Sequence, residues 1–297
     1  MNTRRHKQSA TPPPGRQKAP ALAVRLLGER DREAAIALLS SCPQRGVHLK
    51  SMIMDHGMCA PALRGRFHGY FADGRLTGLA LVGHQIMFCA PDHALPALAR
   101  AAAASGLAST VIFGPAEQVA LFWDEFAATG RAAKLSRDFY WYVCEQPAQP
   151  HGEFMLTEAT PAELDAVVEA HASMFIEATG ADPRDRDPEG FRQRALDRIH
   201  RGRTWIRVAD GRVIFKIELQ SVTPDAVYLE GVWTHPEYRG HGVAREGVVE
   251  MAHRRLGKQQ LICLVVEPEE KSAQAIYEYA GFSHDGDYRA VYLQPVA

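Results

Sequence analysis

The sequence predicts a mixed α/β protein built from two similar halves. At 297 residues the chain is too long for one typical domain and suits two. The same order of elements is read twice: strand, helices, antiparallel strands, helix, strand, helix, strand. Asp-Gly pairs at 73–74 and 210–211 sit between apolar runs, where hairpins turn. Each half is therefore expected to be a mixed, mostly antiparallel sheet flanked by helices. The regular alternation of a doubly wound nucleotide fold is absent.

In the first half the reading gives a strand at 23–27, a helix at 31–40, a loosely patterned stretch at 45–66 and hairpin strands at 67–72 and 75–82. A strand at 85–89, helix 92–105, strand 110–113, helix 116–129 and strand 137–144 follow. In the second half it gives strand 153–157, helices 161–176 and 189–201, and strands near 203–208, 212–221 and 226–233. Helix 242–256, the apolar strand 261–266, helix 271–280 and a final hairpin turning at Asp285-Gly286 complete it. The Pro-rich segment Glu145-Gln-Pro-Ala-Gln-Pro-His-Gly152 separates the halves, giving domains 21–146 and 147–297. Residues 1–20, with Arg4, Arg5, Lys7, Arg16 and Lys18 among Ser, Thr and Pro, read as a disordered basic tail.

Composition excludes several classes. With 46% hydrophobic and 23% charged residues and a formal net charge of -1, the chain is an ordinary folded protein and not a nucleic-acid wrapper. Its most apolar stretch, Leu79 to Ala90, is broken by Gly83 and His84, so no membrane span is expected. Arg4-Arg5 is followed by Ala10-Thr-Pro-Pro-Pro-Gly15, not by an apolar run, so export is not expected either. The 5 cysteines are scattered, with no Cys-x-x-Cys pair, which predicts neither a disulfide scaffold nor a zinc site and suits a reducing cytoplasm. His235 and His241 lack the spacing of metal ligands, and no metal is predicted.

The most informative segment is Val227-Tyr-Leu-Glu-Gly-Val-Trp-Thr-His-Pro-Glu-Tyr-Arg-Gly-His-Gly-Val-Ala244. An apolar strand leads through a Pro turn into small residues at a helix start, which leaves backbone N–H groups converging on one point, a means of holding a diphosphate. The Rossmann pattern fails because Arg245 stands where its third glycine belongs. A P-loop fails because no Gly-Lys-Ser/Thr follows. The first half carries Pro91-Asp-His-Ala-Leu-Pro-Ala-Leu98 at the corresponding place, without the glycine pair, so only the second half is expected to bind a phosphate-bearing cofactor.

Arg239-x-x-Gly242-x-Ala244 after that strand, followed by Ala273-x-x-x-Tyr277-Glu-x-x-Gly281-Phe282, resembles the GNAT superfamily of acetyl-CoA-dependent N-acetyltransferases over about 150–297. The resemblance implies a tandem arrangement whose first domain is a degenerate copy. It implies that acetyl-CoA or another acyl-CoA binds with its diphosphate on the amides of Arg239, Gly240, His241, Gly242, Val243 and Ala244. Strand 228–234 is expected to splay from strand 261–266, with Val232 and Thr234 bonding the pantetheine arm. Tyr277 is implied as general acid toward the leaving thiolate, although with Phe282 it also reads as core. Glu230 is implied as general base, with a salt bridge or a substrate-ammonium contact as the other reading. Glu177, between the two helices, is a weak candidate for attracting the amine. The family's usual asparagine before this helix is replaced by Glu270, which puts one cofactor contact in doubt. The expected reaction is acyl transfer to a small-molecule or peptide amine, without nucleic acid or membrane as partner and with a homodimer allowed. An inactive acyl-CoA-binding sensor is the alternative, and a scaffold without a ligand ranks third.

Overall fold

The computed structural model describes residues 23–150, 152–153 and 155–295; the basic tail expected over 1–20 lies outside them. The first half runs β1 (Ala23–Leu26), α1 (Arg32–Ser40), α2 (Pro43–His56), β2 (Gly65–Ala72), β3 (Arg75–Gly83), β4 (Gln85–Cys89), α3 (Leu95–Ala104), β5 (Val111–Pro115), α4 (Ala116–Ala127) and β6 (Ala133–Cys144). The second repeats it as β7 (Thr157–Glu158), α5 (Leu164–Thr179), α6 (Pro188–His200), β8 (Thr204–Ala209), β9 (Arg212–Val222), β10 (Ala226–Thr234), α7 (Val243–Leu256), β11 (Leu261–Val266), α8 (Lys271–Tyr279) and β12 (Ser283–Leu293).

All these strands form one sheet in the order β1-β2-β3-β4-β5-β12-β6-β11-β10-β9-β8-β7. The order is a palindrome under exchange of halves, so the duplication is visible in topology. The last strands change places. β12 pairs with β5, β6 pairs with β11, and the two run antiparallel to each other from Ser283↔Val143 to Leu293↔Ala133. Each half therefore completes its sheet with a strand of the other. Trp141 on β6 stacks on Tyr288 of β12, with centroids 4.2 Å apart, and on Tyr228 of β10 at 5.6 Å, forming an aromatic core at the seam.

Three expectations change. The loosely patterned 45–66 contains α2, whose buried set Val47, Leu49, Lys50, Ser51 and Ile53 includes polar residues and spans more than one face, hiding the helical period. Pro43 at its first turn and Gly57 at its end were the available signals. The final hairpin is instead one strand, because Asp285-Gly286 forms a bulge in the β12–β6 pairing, with a register shift between His284 and Gly286. The strand expected at 153–157 shrinks to Thr157–Glu158, since the amides of Met155 and Leu156 donate to the Glu250 carboxylate of α7 at 2.7 and 2.9 Å.

Helix α2 binds the halves together. Its Ser51 Oγ accepts from the Val222 amide at 3.1 Å, its Asp55 accepts from Arg203 at 2.6 Å, and its Lys50 pairs with Asp225. Its His48 is half-buried, with Nδ1 3.0 Å from Ser221 Oγ and the ring 4.3 Å from that of Tyr228. Among the described residues no helix is long and apolar enough to cross a membrane.

Candidate functional site

Strands β10 and β11 pair in parallel from Ala226↔Leu261 to Tyr228↔Cys263 and no further, so they part from Leu229 onward. On its other side β10 meets β9, where Glu230 faces Glu218 and Trp233 faces Lys216. Gly231 and Val232 are thus two residues set against Ile217 alone, a bulge that Gly231 permits with φ of 61°. The bulge resets the alternation expected from sequence. Trp233 packs with Val167 and Ala170 of α5, on the side of Glu230, whereas Val232 turns to the α7 side. The parted edge and the bulge together leave main-chain groups of β10 facing the gap.

At the end of β10 a turn led by Pro236 enters the glycine loop. Gly240 and Gly242 have φ of 78° and 80°, in the left-handed region, and a Cβ on Gly240 would meet no atom within 4 Å. The space above the loop is open. The first α7 amide to find a backbone acceptor among the described residues is that of Glu246, on Gly242 O at 3.0 Å. The preceding amides, from Gly240 to Arg245, are left for an anion at the helix N-terminus, whereas the Arg239 amide expected among them donates to Pro236 O at 3.2 Å and closes the turn instead. A cavity of about 620 Å³ opens beside them, lined by the loop, Arg245, Tyr279 and the segment joining the halves. The free amides fit a CoA diphosphate and the parted edge of β10 its pantetheine arm, while the cavity, which no residue of β10 or β11 lines, lies beside the loop and outside the gap between those strands.

Arg239 is less free than the motif suggests. Its Nη2 donates to Glu177 Oε2 at 2.6 Å and its Nε to Thr234 O at 3.0 Å. Glu177 also accepts from Trp233 Nε1 at 3.3 Å. The structure therefore places Glu177 as the brace of the loop arginine, a different position from the amine contact expected of it. His241 is exposed, and His235 caps the turn by accepting from the Glu237 amide at 3.3 Å. At Glu270 the side chain makes no capping bond. The loop before α8 is held instead by Gln274, whose Nε2 donates to Glu267 O and Pro268 O, each at 3.0 Å.

Behind Glu230 lies a buried ionic cluster that the sequence reading missed. Glu218 is 1% exposed and touches His171 of α5 and Arg198 of α6. Lys216, fully buried, sits 3.6 Å from Glu218 and donates to Gly231 O at 2.9 Å, so it fastens the bulge from below. Burial pushes the Glu218 pKa up, but Lys216, His171 and Arg198 outweigh it and hold the carboxylate well below its usual range. Burial lowers the pKa of His171, and the Glu218 carboxylate opposes that shift. Glu230 is the opposite case. It is exposed, on the face of β10 that carries Trp233. Desolvation raises its pKa; Arg198 opposes the rise, Glu218 adds to it and Lys216 opposes it. The pKa values of two facing carboxylates are thus driven in opposite directions, that of Glu218 down and that of Glu230 up. The signal was present in Ile214-Phe-Lys-Ile-Glu-Leu219, where two opposite charges stand on one face of an otherwise apolar strand.

Tyr277 projects from α8 into the core of the second half, beside Tyr142 at 6.4 Å and Phe282 at 6.0 Å between ring centroids. Burial, with a smaller contribution from Glu270, pushes its pKa up to about 12. Its hydroxyl therefore keeps its proton at neutral pH. Cys263, buried in β11, has its thiol pKa pushed far up by desolvation and is no nucleophile.

The first half repeats this geometry in a closed form. β4 and β5 pair in parallel from Gln85↔Val111 to Met87↔Phe113 and then part. The gap is filled: the Phe88 ring lies 3.2 Å from where a Cβ on Gly114 would stand and stacks on Phe122 with centroids 5.2 Å apart.

Residues 164–282 match the model of the acetyltransferase (GNAT) family, and residues 65–167 match a domain of unknown function, DUF4081. No curated protein matches the sequence. Among solved structures, an acetyltransferase from the GNAT family from Colwellia psychrerythraea aligns over 92% of this chain and 100% of its own at TM-score 0.55 and 14% identity. A tandem GNAT protein from the clavulanic acid biosynthesis pathway aligns over 93% and 100% at TM-score 0.55 and 15% identity. A Drosophila protein does so over 93% and 100% at TM-score 0.62 and 13% identity. Residues 164–282 thus match a GNAT domain, and the chain as a whole shares the fold of these solved structures.

Proposed function

We propose that the second half moves an acyl group, acetyl first among them, from its CoA thioester to a primary amine by direct attack within a ternary complex. The observation that carries this reading is the pairing of an open anion cradle at 240–244 with a carboxylate, Glu230, on β10, the strand that leads into it. When bound, the thioester supplies an activated acyl carbon and a thiolate leaving group. The amides of Gly240 to Ala244 would hold its diphosphate, and the parted edge of β10 near Val232 and Thr234 its pantetheine arm. Glu230 accepts the proton of the incoming ammonium, a task suited to a carboxylate whose pKa has moved toward neutrality. Tyr277, still protonated, serves as the proton donor to sulfur. The match to the GNAT family supports acyl transfer in general.

The acceptor approaches from the α5–α6 side, where Glu230, Trp233 and the exposed Phe175 and Ile176 lie. A small-molecule or peptide amine suits such a site. An inactive acyl-CoA sensor is the other reading, but a pure binding site has no use for a carboxylate of raised pKa beside one of lowered pKa. Release of free thiol from acetyl-CoA over a panel of small amines, polyamines, amino acids and peptides tests the proposal. Amine-dependent release supports it. Binding of acetyl-CoA without release for any acceptor class would move the assignment to the sensor.

A further inference from the structure

Counted from the last parallel pair of each half, Cys89 stands two residues beyond Met87 on β4 as Glu230 stands two beyond Tyr228 on β10. The first half thus has a buried thiol where the second has its candidate base. That thiol is not isolated. Cys89 Sγ lies 2.7 Å from Sγ of Cys42, which occupies the residue before Pro43 at the start of α2. Two sulfurs 47 residues apart are closer than unbonded sulfurs rest, and a small displacement brings them to the bond length of about 2.0 Å. Both cysteines are free.

The two thiols are chemically unequal. Cys42 is half-buried, and contact with the Cys89 thiol, with Ser41 and Arg45 assisting, brings its pKa down to about 7. Cys89 is buried, and its pKa is pushed far up, first by that same contact and then by desolvation. One sulfur is therefore a reachable thiolate near neutral pH and the other a protected thiol in contact with it, the arrangement of an attacking and a resolving cysteine.

We propose that Cys42 and Cys89 form a reversible dithiol–disulfide couple, oxidised by a hydroperoxide and reduced by an external dithiol, which fastens the start of α2 to β4. The Cys42 thiolate attacks the distal peroxide oxygen, the O–O bond breaks, and the released alkoxide or hydroxide takes a proton to leave as alcohol or water. The sulfur of Cys89 then attacks the Cys42 sulfenic sulfur. The S–S bond forms, hydroxide leaves, and it carries the Cys89 proton away as water. Two thiols lose two electrons and the peroxide gains them. Because α2 carries Ser51 and Asp55 to Val222 and Arg203, the bond ties a redox signal to the helix that joins the halves.

The test uses the full chain, reduced, desalted and exposed to stoichiometric hydrogen peroxide. The expected result is a cross-linked peptide joining Cys42 to Cys89 in a non-reducing digest, with the exposed Cys59 still open to alkylation. The thermal midpoint rises in the oxidised protein, returns with dithiothreitol, and does not move in Cys42→Ser, a substitution at the half-buried position chosen so that the chain still folds. Conversion of Cys42 to sulfinic acid with Cys89 still alkylatable would overturn the proposal. So would a cross-link through Cys59, or an oxidised wild type that melts as the reduced one does.

Discussion

Replacing Lys216 with methionine removes the cation that supports two neighbours at once. Its Nζ is fully buried, 3.6 Å from Glu218 and 2.9 Å from the carbonyl of Gly231. A methionine fills nearly the same volume, so the change is electrostatic and not a cavity. Glu218, 1% exposed, keeps its contacts with Arg198 and His171 but loses its one fully buried cationic neighbour among the described residues. Breaking a buried pair by removing one partner costs about 3–5 kcal/mol, and the remaining Arg198 contact places this case at the lower end, near ~3 kcal/mol. The Gly231 carbonyl is left without its donor, so the bulge relaxes and acetyl-CoA affinity falls with stability. Urea unfolding followed by circular dichroism measures the first effect, and calorimetric titration the second. Combining Lys216→Met with Glu218→Gln should recover part of the loss, because the buried charge that lost its Lys216 neighbour is then removed, a coupling of roughly 1–3 kcal/mol. A loss below about 1 kcal/mol in the single variant, or strict additivity in the pair, would refute the assignment of Lys216 as the support of the bulge.

Three further outcomes are expected. Glu230→Gln should lower acyl-transfer kcat by about 10²–10⁴-fold with acetyl-CoA affinity retained, and should remove the acidic limb of the pH–rate profile. In the wild type that limb lies above the ordinary carboxylate range, because the pKa of Glu230 is raised and activity falls as pH drops through it; a limb at the ordinary carboxylate pKa, or an unchanged rate, removes Glu230 from the chemistry. Gly242→Val, at φ of 80°, should cost about 1–2 kcal/mol in stability and weaken acetyl-CoA binding at least about tenfold, both read from titration and melting of the variant. His48 is held neutral by burial down to a pKa of about 4, against 6.5 in the unfolded chain. The unfolded state therefore binds the proton first. The contribution is complete above pH 6.5, is lost as pH falls toward 4, and amounts to ~3 kcal/mol over that window. Urea unfolding at pH 7 and pH 4.5 should show this slope in the wild type and a shallower one in His48→Phe.

The element order, the glycine loop and the lack of a glycine pair in the first half were legible in the chain because each rests on local signals: apolar periodicity, Asp-Gly turns, and paired glycines before a helix; the Phe88 that fills the gap of the first half was not. What escaped was set by tertiary contact. The exchange of β6 and β12 leaves no local mark, since either strand is an equally apolar partner for β5 or β11. The bulge at Gly231-Val232 was hidden because strict alternation is assumed until a partner strand shows two residues against one. Lys216 and Glu218 were visible as charges in an apolar strand, but His171 and Arg198 come from helices distant in sequence, and only folding brings them to Glu218. Glu177 was legible as a carboxylate near the loop, and its engagement with Arg239 was not.

The central claim is that this chain has one acyl-CoA site, in its second half, with the equivalent gap of the first half closed by Phe88. Calorimetric titration of the full-length protein with acetyl-CoA tests it directly. One molecule bound per chain, with binding weakened at least about tenfold in Gly242→Val and kept when Phe88 is changed to leucine, is the predicted result. Two molecules per chain, or none at millimolar acetyl-CoA, would contradict it.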